Sequence, residues 1–298
     1  PLWEFDWRWE GRQILAMREA NLEGRYSYSP GGPTPEDVTS DPNCDGDGSI
    51  FDIFFTRNVL EEFPYMGLSV GEPAIGTVVL NNIGPDPSRR IQRPVAIFTA
   101  GINGDIPESD PCRVNERRGR AIYVVDLQTG TLLRRFIDYY PLGDANAFAF
   151  ETALTGTPVA YSSRPGTVTS RAFVGDAAGR LFRLDLSDPA PENWRVDLFF
   201  DPCESDDLKN QAGITCDPLE GNTLADRPRS WGPASFKPAV ALDPQRTLTV
   251  IYGLGERADT SVSDQVQAMI ALREKLDVFE APETIWSTTF PEDPTPSP

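Results

Sequence analysis

The chain has 298 residues, 39% apolar and 24% charged, and its 45 acids against 27 bases give a formal net charge of −18. Such a balance repels phosphate backbones and anionic membranes, so nucleic acid is disfavoured as a partner. Histidine is absent, which removes His-based catalytic triads, imidazole metal ligands and c-type haem attachment. The four cysteines show no CxxC spacing, so zinc ribbons and iron–sulfur clusters lack support, and any metal would be a hard cation held by oxygens.

The first residues, PLWEFDWRWEG, alternate Trp3, Trp7 and Trp9 with charged neighbours. That pattern suits a strand whose aromatics pack between sheets, a carbohydrate-lining surface being the alternative. They do not form a signal peptide, and no apolar run reaches the length of a membrane span. A chain that starts and ends on proline reads as a mature fragment or one domain of something longer.

A polar insertion at 29–49 leads into SDPNCDGDGSIFD. With Asp41 in the first position of a calcium loop, Asn43 falls third, Asp45 fifth and Gly46 sixth. Asp47 offers its carbonyl at the seventh, Ser49 lies at the ninth and Asp52 closes at the twelfth, with Asp where Glu is usual. A second register, matching a DGDGxxD loop, uses Asp45, Asp47 and Asp52 with one residue too many before the last. Clustered carboxylates repel unless a cation neutralises them, and most turns need only one or two such residues, so calcium is expected here over a solvated turn. No helix signal precedes the loop, which argues against an EF-hand domain around it.

Beyond it, short Val-, Ile-, Phe- and Tyr-rich runs bounded by Gly, Asp and Pro predict strands. They are IFDIFF (50–55), GTVVLNN (76–82), PVAIFTAG (94–101), RAIYVVDL (120–127), TLLRRFI (131–137), TPVAYSS (157–163), RAFVGDA (171–177), GRLFRLDL (179–186), TLTVIYGLG (247–255) and TIWSTTF (284–290). Helix-period segments are few: 57–63 (RNVLEEF) and 263–277 (SDQVQAMIALREKLD) are the better candidates. The acidic stretch 101–110 and the Arg-rich 113–120 read as solvated loops.

Two stretches share a plan. RAIYVVDLQTGTLLRRF and RAFVGDAAGRLFRLDL each run from an apolar strand through Asp126 or Asp176 and a Gly-containing turn into a second strand. Each predicts a tight hairpin whose glycine supplies a positive φ. Recurring hairpins favour an all-β fold with radial repetition, a β-propeller, over a pair of sandwiches, and the length would hold about six or seven blades. The insertions near 29–49, 103–118 and 201–231 carry all four cysteines, and 291–298 has linker composition. A Cys203–Cys216 bridge would close the last insertion and leave Cys44 and Cys112 to pair across the fold. Four cysteines allow three connectivities, and free thiols are the plain alternative; an even count in an acidic chain favours an oxidising, extracytoplasmic setting.

These two stretches resemble the C-terminal domain of the PilY family, tip-associated adhesins and assembly factors of type IV pili. The family runs approximately as GRALYVLDVTTG, matched by Tyr123, Asp126 and Gly130. It continues as SPVAVDLDGDGxVDxxYVGDxxGNLWRFDL and then a Trp, matched by Pro158, Val159, Gly175, Asp176, Gly179, Leu181, Arg183, Asp185, Leu186 and Trp194. SFKPAVAL and VIYGLGERADTSVSDQVQAMIAL resemble a further blade, so the similarity covers roughly residues 50–275 of a repeat architecture. Part of the first motif also occurs in quinoprotein-like propellers. The family's acidic calcium loop before the YVGD strand is replaced here by SSRPGTVTS (162–170), which has no carboxylate, and its N-terminal adhesive region is missing.

The resemblance implies a single propeller domain over 1–290, non-catalytic and pilus-associated at the cell surface, exported through the periplasm. Its partners would be minor pilins, other tip components or a cell-surface ligand, with structural calcium at 41–52 and no insertion into a membrane. The alternative is an extracytoplasmic enzyme on the same scaffold, quinoprotein-like or glycan-active.

Overall fold

The structure, a computed structural model, describes residues 65–67, 71–81, 89–101, 119–141, 144, 146–162, 167–212, 230–244, 247–255, 265–275 and 280–290. They form an all-β arrangement dominated by three antiparallel meanders. The first sheet contains β1 (Ala74–Asn81), β2 (Arg90–Thr99), β3 (Ile122–Asp126) and β4 (Leu132–Phe136) in sequence order. A small ladder, β5 (Asp138–Tyr139) with β6 (Phe148–Ala149), leads to the second sheet. That sheet comprises β7 (Val159–Ser162), β8 (Thr169–Gly175), β9 (Leu181–Asp185) and β10 (Arg195–Phe200). A seven-residue helix, α1 (Asp206–Ala212), follows. The third sheet pairs β12 (Ala239–Leu242), β13 (Leu248–Leu254), β14 (Gln265–Arg273) and β15 (Glu283–Phe290). The two-residue β11 (Ser230–Trp231) joins the start of β14 in parallel.

Both expected hairpins are present. β3–β4 turns at Gly130 with φ 70° and β8–β9 at Gly179 with φ 84°, the left-handed region that a side chain disfavours.

Alternation along the strands distributes side chains between three core layers. In β2 and β3, Val95, Ile97, Ile122 and Val124 face the second sheet. Ala96, Phe98, Tyr123 and Val125 face the opposite way, under Tyr65. In β8 and β9, Ala172, Val174, Phe182 and Leu184 face the first sheet, while Phe173 and Leu181 face the third. Strands covered on both faces read as continuous apolar runs, which is why IYVVD and RAFVG are so prominent in the sequence. A bulge between Leu198 and Phe200 lets both Phe199 and Phe200 pack toward the third sheet. The edge strands β1 and β12 both lie beside β7, the edge strand of the second sheet.

Two expectations need correction. The helix expected over 263–277 is the strand β14. Its Ala, Met, Leu and Gln content favours a helix in isolation, but β14 is laddered to β13 on one side and β15 on the other, and tertiary pairing overrides propensity. The other helix candidate, 57–63, lies outside the described residues. The sheets occupy Ala74 to Phe290, roughly 70 residues each against the 40–50 of a compact blade. Three such sheets lie among the described residues. Finally, the insertion at 201–231 is not all loop, because it contains α1 and β11.

Phe182 sits in the apolar layer between the first two sheets, its ring edge-on to Tyr139 at 5.1 Å and to Phe150 at 5.2 Å. Truncating it opens a cavity that the paired strands cannot close. Phe182→Ala is expected to lower unfolding stability by about 3–5 kcal/mol in urea titrations, with Phe182→Leu losing visibly less.

Candidate functional site

The densest set of polar contacts lies on the β8–β9 turn, Gly175-Asp176-Ala177-Ala178-Gly179-Arg180. Asp176 is fully buried and both its oxygens are occupied. Oδ1 accepts from the Arg180 N–H at 2.8 Å and the Ala178 N–H at 3.0 Å. Oδ2 accepts from the Thr152 hydroxyl at 2.6 Å and from Arg180 Nε at 2.8 Å. Arg180 in turn reaches Glu151 at 2.8 Å and lies over the rings of Tyr139 and Phe182. Burial disfavours the guanidinium charge, yet the Asp176 carboxylate, with lesser help from Tyr139 and Glu151, holds its pKa above the ordinary arginine value.

The same turn ties the sheets together through backbone. The Ala234 N–H, on the approach to the third sheet, donates to the Asp176 carbonyl at 2.8 Å. The Gly156 N–H, ahead of β7, donates to the Gly175 carbonyl at 3.1 Å, and the Ala177 N–H donates to Ala153 at 2.8 Å. Tyr252 of β13 donates its hydroxyl to the Gly179 carbonyl at 3.2 Å. Glycine is obligatory at two of these points. A Cβ on Gly175 would collide with Ala234, and one on Gly156 would lie 2.6 Å from the Gly175 nitrogen.

A related device recurs in each sheet: a strand-ending aspartate accepts turn N–H groups and is paired with an arginine. In the first sheet, Asp126 Oδ1 accepts from Gln128 at 2.7 Å, and Oδ2 lies 3.8 Å from Arg93. In the third, Asp243 Oδ1 accepts from the Thr247 N–H at 2.8 Å and Oδ2 from Arg273 Nε at 3.1 Å. Asp126 and Asp176 stand out in the sequence because a glycine follows each at turn spacing. Asp243 does not, and the arginines of the first and third sheets come from other strands, so no local signal marks them.

A second charged network joins the second and third sheets. Buried Arg183 donates to Asp197 and to Glu274, each at 3.1 Å. Arg171 also reaches Glu274, at 2.8 Å, and Arg195 reaches Asp197 while lying over the Tyr140 ring. Arg183 is among the residues that match the family motif, and here its role is to bridge two sheets.

The expected calcium ligands Asp41, Asn43, Asp45, Asp47, Ser49 and Asp52 lie outside the described residues, as do Cys44, Cys112 and Cys216. Cys203 is described and is disulfide-bonded, its partner lying outside the described residues. It sits in the short 3-10 turn Pro202–Glu204, where the Asp201 side chain accepts from its N–H at 2.8 Å. Where the family's acidic loop would precede β8, Thr169 instead receives the Thr77 N–H at 3.2 Å, tying β8 to β1. Among the described residues, no group of three or more Asp, Glu, Cys or His side chains is arranged to hold a metal.

Fold and site together define an all-β scaffold in which the saturated Asp176–Arg180 turn ties stacked sheets together. No protein-family model matches the chain, and no curated protein matches it. Among solved structures it is similar to the crystal structure of the Pseudomonas aeruginosa PilY1 C-terminal domain, at 16% identity and a TM-score of 0.40. That alignment covers 74% of this chain and 40% of the other, so the chain spans less than half the length of that structure.

Two substitutions separate the roles of neighbouring carboxylates. Asp176→Asn removes the buried ionic partner of Arg180, leaving only the exposed Glu151, and is expected to cost about 3 kcal/mol in chemical denaturation. Asp201 behaves oppositely. Burial raises its pKa above the ordinary 3.8, against the lowering effect of the Cys203 N–H and Arg180. Ionising it therefore costs more in the folded than in the unfolded chain. That cost is absent at pH below 3.8 and complete once pH has risen through the raised folded value. Asp201→Asn, whose amide oxygen can still accept from Cys203, is expected to raise the melting temperature at pH 7 and to lose that advantage at pH 3.

Proposed function

We propose that this protein is a non-catalytic, extracytoplasmic β-propeller of PilY type, acting by protein–protein contact at the tip of type IV pili or in their assembly. The observation that carries the reading is the placement of the family motifs. The residues matching GRALYVLDVTTG form the β3–β4 hairpin, and those matching the YVGD string form β8–β9, with Asp126, Gly130, Asp176 and Gly179 in the turn roles the motif demands. Three successive four-stranded meanders with their first strands gathered together also suit propeller blades, and ring closure is part of the proposal.

One feature supports the location. Cys203 is in a disulfide, as befits an oxidising compartment. No helix among the described residues is long and apolar enough to cross a membrane. Export through the periplasm to the cell surface, with minor pilins or other tip components as partners, follows from the family reading. Cys203 with Cys216 and Cys44 with Cys112 are the pairings proposed. Calcium at Asp41, Asn43, Asp45, Asp47, Ser49 and Asp52 would neutralise a loop that otherwise concentrates negative charge.

Two experiments test this. In cells of the source organism, loss of the gene is expected to reduce surface piliation, and the protein is expected to co-isolate with minor pilins. Normal piliation together with no pilin recovered would overturn the assignment. In solution, calcium at about a hundredfold above Kd should stabilise the fold by roughly 2.7 kcal/mol over chelator, with magnesium substituting poorly. Asp45→Ala should abolish that shift, and the absence of any calcium-specific change in melting temperature sinks the metal site.

A further inference from the structure

The outer strands of the three sheets are treated differently. β4 is five residues long and has the Pro191–Asn193 turn beside it. The outer edge of β10 is capped by Tyr140, whose N–H donates to the Val196 carbonyl at 2.8 Å and whose carbonyl accepts from the Leu198 N–H at 2.8 Å. β15 is eight residues long, contains no proline or lysine, and among the described residues pairs only with β14. Natural proteins shorten, charge or cover such edges, because a row of unpaired N–H and C=O groups is a template for another strand.

The face beside this edge is apolar. Trp286 and Phe290 lie opposite Ala271 and Gln267 of β14, on the side away from the layer formed by Ala268, Ile270 and Leu272. With Met269 they make a row on that face, and the three are 43%, 48% and 41% exposed. The other side of β15 is backed by α1, where Gln211 donates to the Ser287 hydroxyl at 3.4 Å. Among the described residues the strand is therefore supported from behind and open along its edge and outer face. Charge narrows the occupant. Asp207 on α1 is an exposed acid, while Asp206, Glu280 and Glu283 are paired with Lys209, Lys275 and Arg273, so the attraction comes from the whole chain's net charge of −18. A second copy of the chain would be repelled, whereas a basic partner would be attracted.

We propose that the β15 edge accepts an extended, net-basic segment of a partner protein by strand addition, its alternate apolar side chains packing on Trp286, Phe290 and Met269. Main-chain hydrogen bonds would supply affinity, and the apolar row would fix the register. The proposal rests on the reading of this protein as a contact module, but it fails separately, because its test uses the purified full chain without pili.

The probe is a roughly nine-residue peptide alternating valine and threonine between terminal lysines, compared with one carrying terminal glutamates. Fluorescence anisotropy with the labelled peptides should show the lysine form binding about tenfold more tightly. The Trp286→Ser, Phe290→Ser double variant should weaken it by a similar factor while retaining its melting temperature. Hydrogen exchange on the same samples should show β15 amides less protected than those of β14, with protection rising when the lysine peptide is added. Equal binding of both peptides, or no binding by either, overturns the proposal. So does a double variant that binds as the parent does. So also does β15 protection already complete without peptide: independence of protein concentration would assign the edge to another part of this chain, and growth with concentration to a second copy.

Discussion

One carboxylate, that of Asp176, organises the middle of this molecule. It is fully buried, and four donors converge on its two oxygens, one of them the guanidinium of Arg180. A buried charge survives only when paired and hydrogen-bonded on all sides, so its presence obliges the turn, Thr152 and Arg180 to hold a single geometry. In that geometry the backbone around it can reach Gly156 on one side and Ala234 on the other, the approaches to the second and third sheets. The glycines at 156 and 175 are the complement of the same constraint, because the strands approach more closely there than a Cβ permits.

What sequence could reveal follows the range of each interaction. The β3–β4 and β8–β9 hairpins were legible because everything that makes them is local: an aspartate, a glycine at turn spacing and flanking apolar strands. β10 was not singled out, and β12 was marked only through the resemblance of SFKPAVAL to a further blade. β14 was misread because its composition suits a helix, and only two neighbouring strands decide otherwise. The Asp–Arg devices were half visible. Asp126 and Asp176 could be flagged, but Arg93 and Arg273 come from strands about 30 residues away from their aspartates, a separation that leaves no pattern in a single sequence. The candidate calcium loop is the reverse case, plain in the sequence and outside the described structure.

Long insertions explain the wide spacing of the described sheets. A blade built from four strands and tight turns needs about 40–50 residues. Here the segment between β2 and β3 and that between β10 and β12 lengthen the first and third units well beyond this, the latter including α1 and β11. Loop length costs little thermodynamically, since closure entropy rises only logarithmically, so a rigid sheet stack tolerates such additions. Three of the four cysteines, Cys112, Cys203 and Cys216, sit in these two segments.

The two sheet–sheet contacts differ in kind, and the difference bears on how the stack is specified. Between the first and second sheets the layer is almost wholly apolar, with Phe136, Phe150, Phe182 and Trp194. Apolar packing is strong but tolerant, because many arrangements bury similar area. Between the second and third sheets an apolar layer with Phe173, Leu181 and Tyr252 is joined by buried charge, Arg183 lying between Asp197 and Glu274 while Arg171 shares the same glutamate. A buried ion pair adds little net stability over an apolar substitute, since desolvation offsets most of the attraction. Its value lies in discrimination. Any displacement of the third sheet along β9 would separate Arg183 from Glu274, which stands just past the end of β14, and would leave a charge in the core without one partner. An error of one residue therefore carries a penalty that the apolar layer alone would not impose. This contact also positions β14, and through it the β15 edge, so the most discriminating interface in the stack is the one that fixes the proposed docking strand.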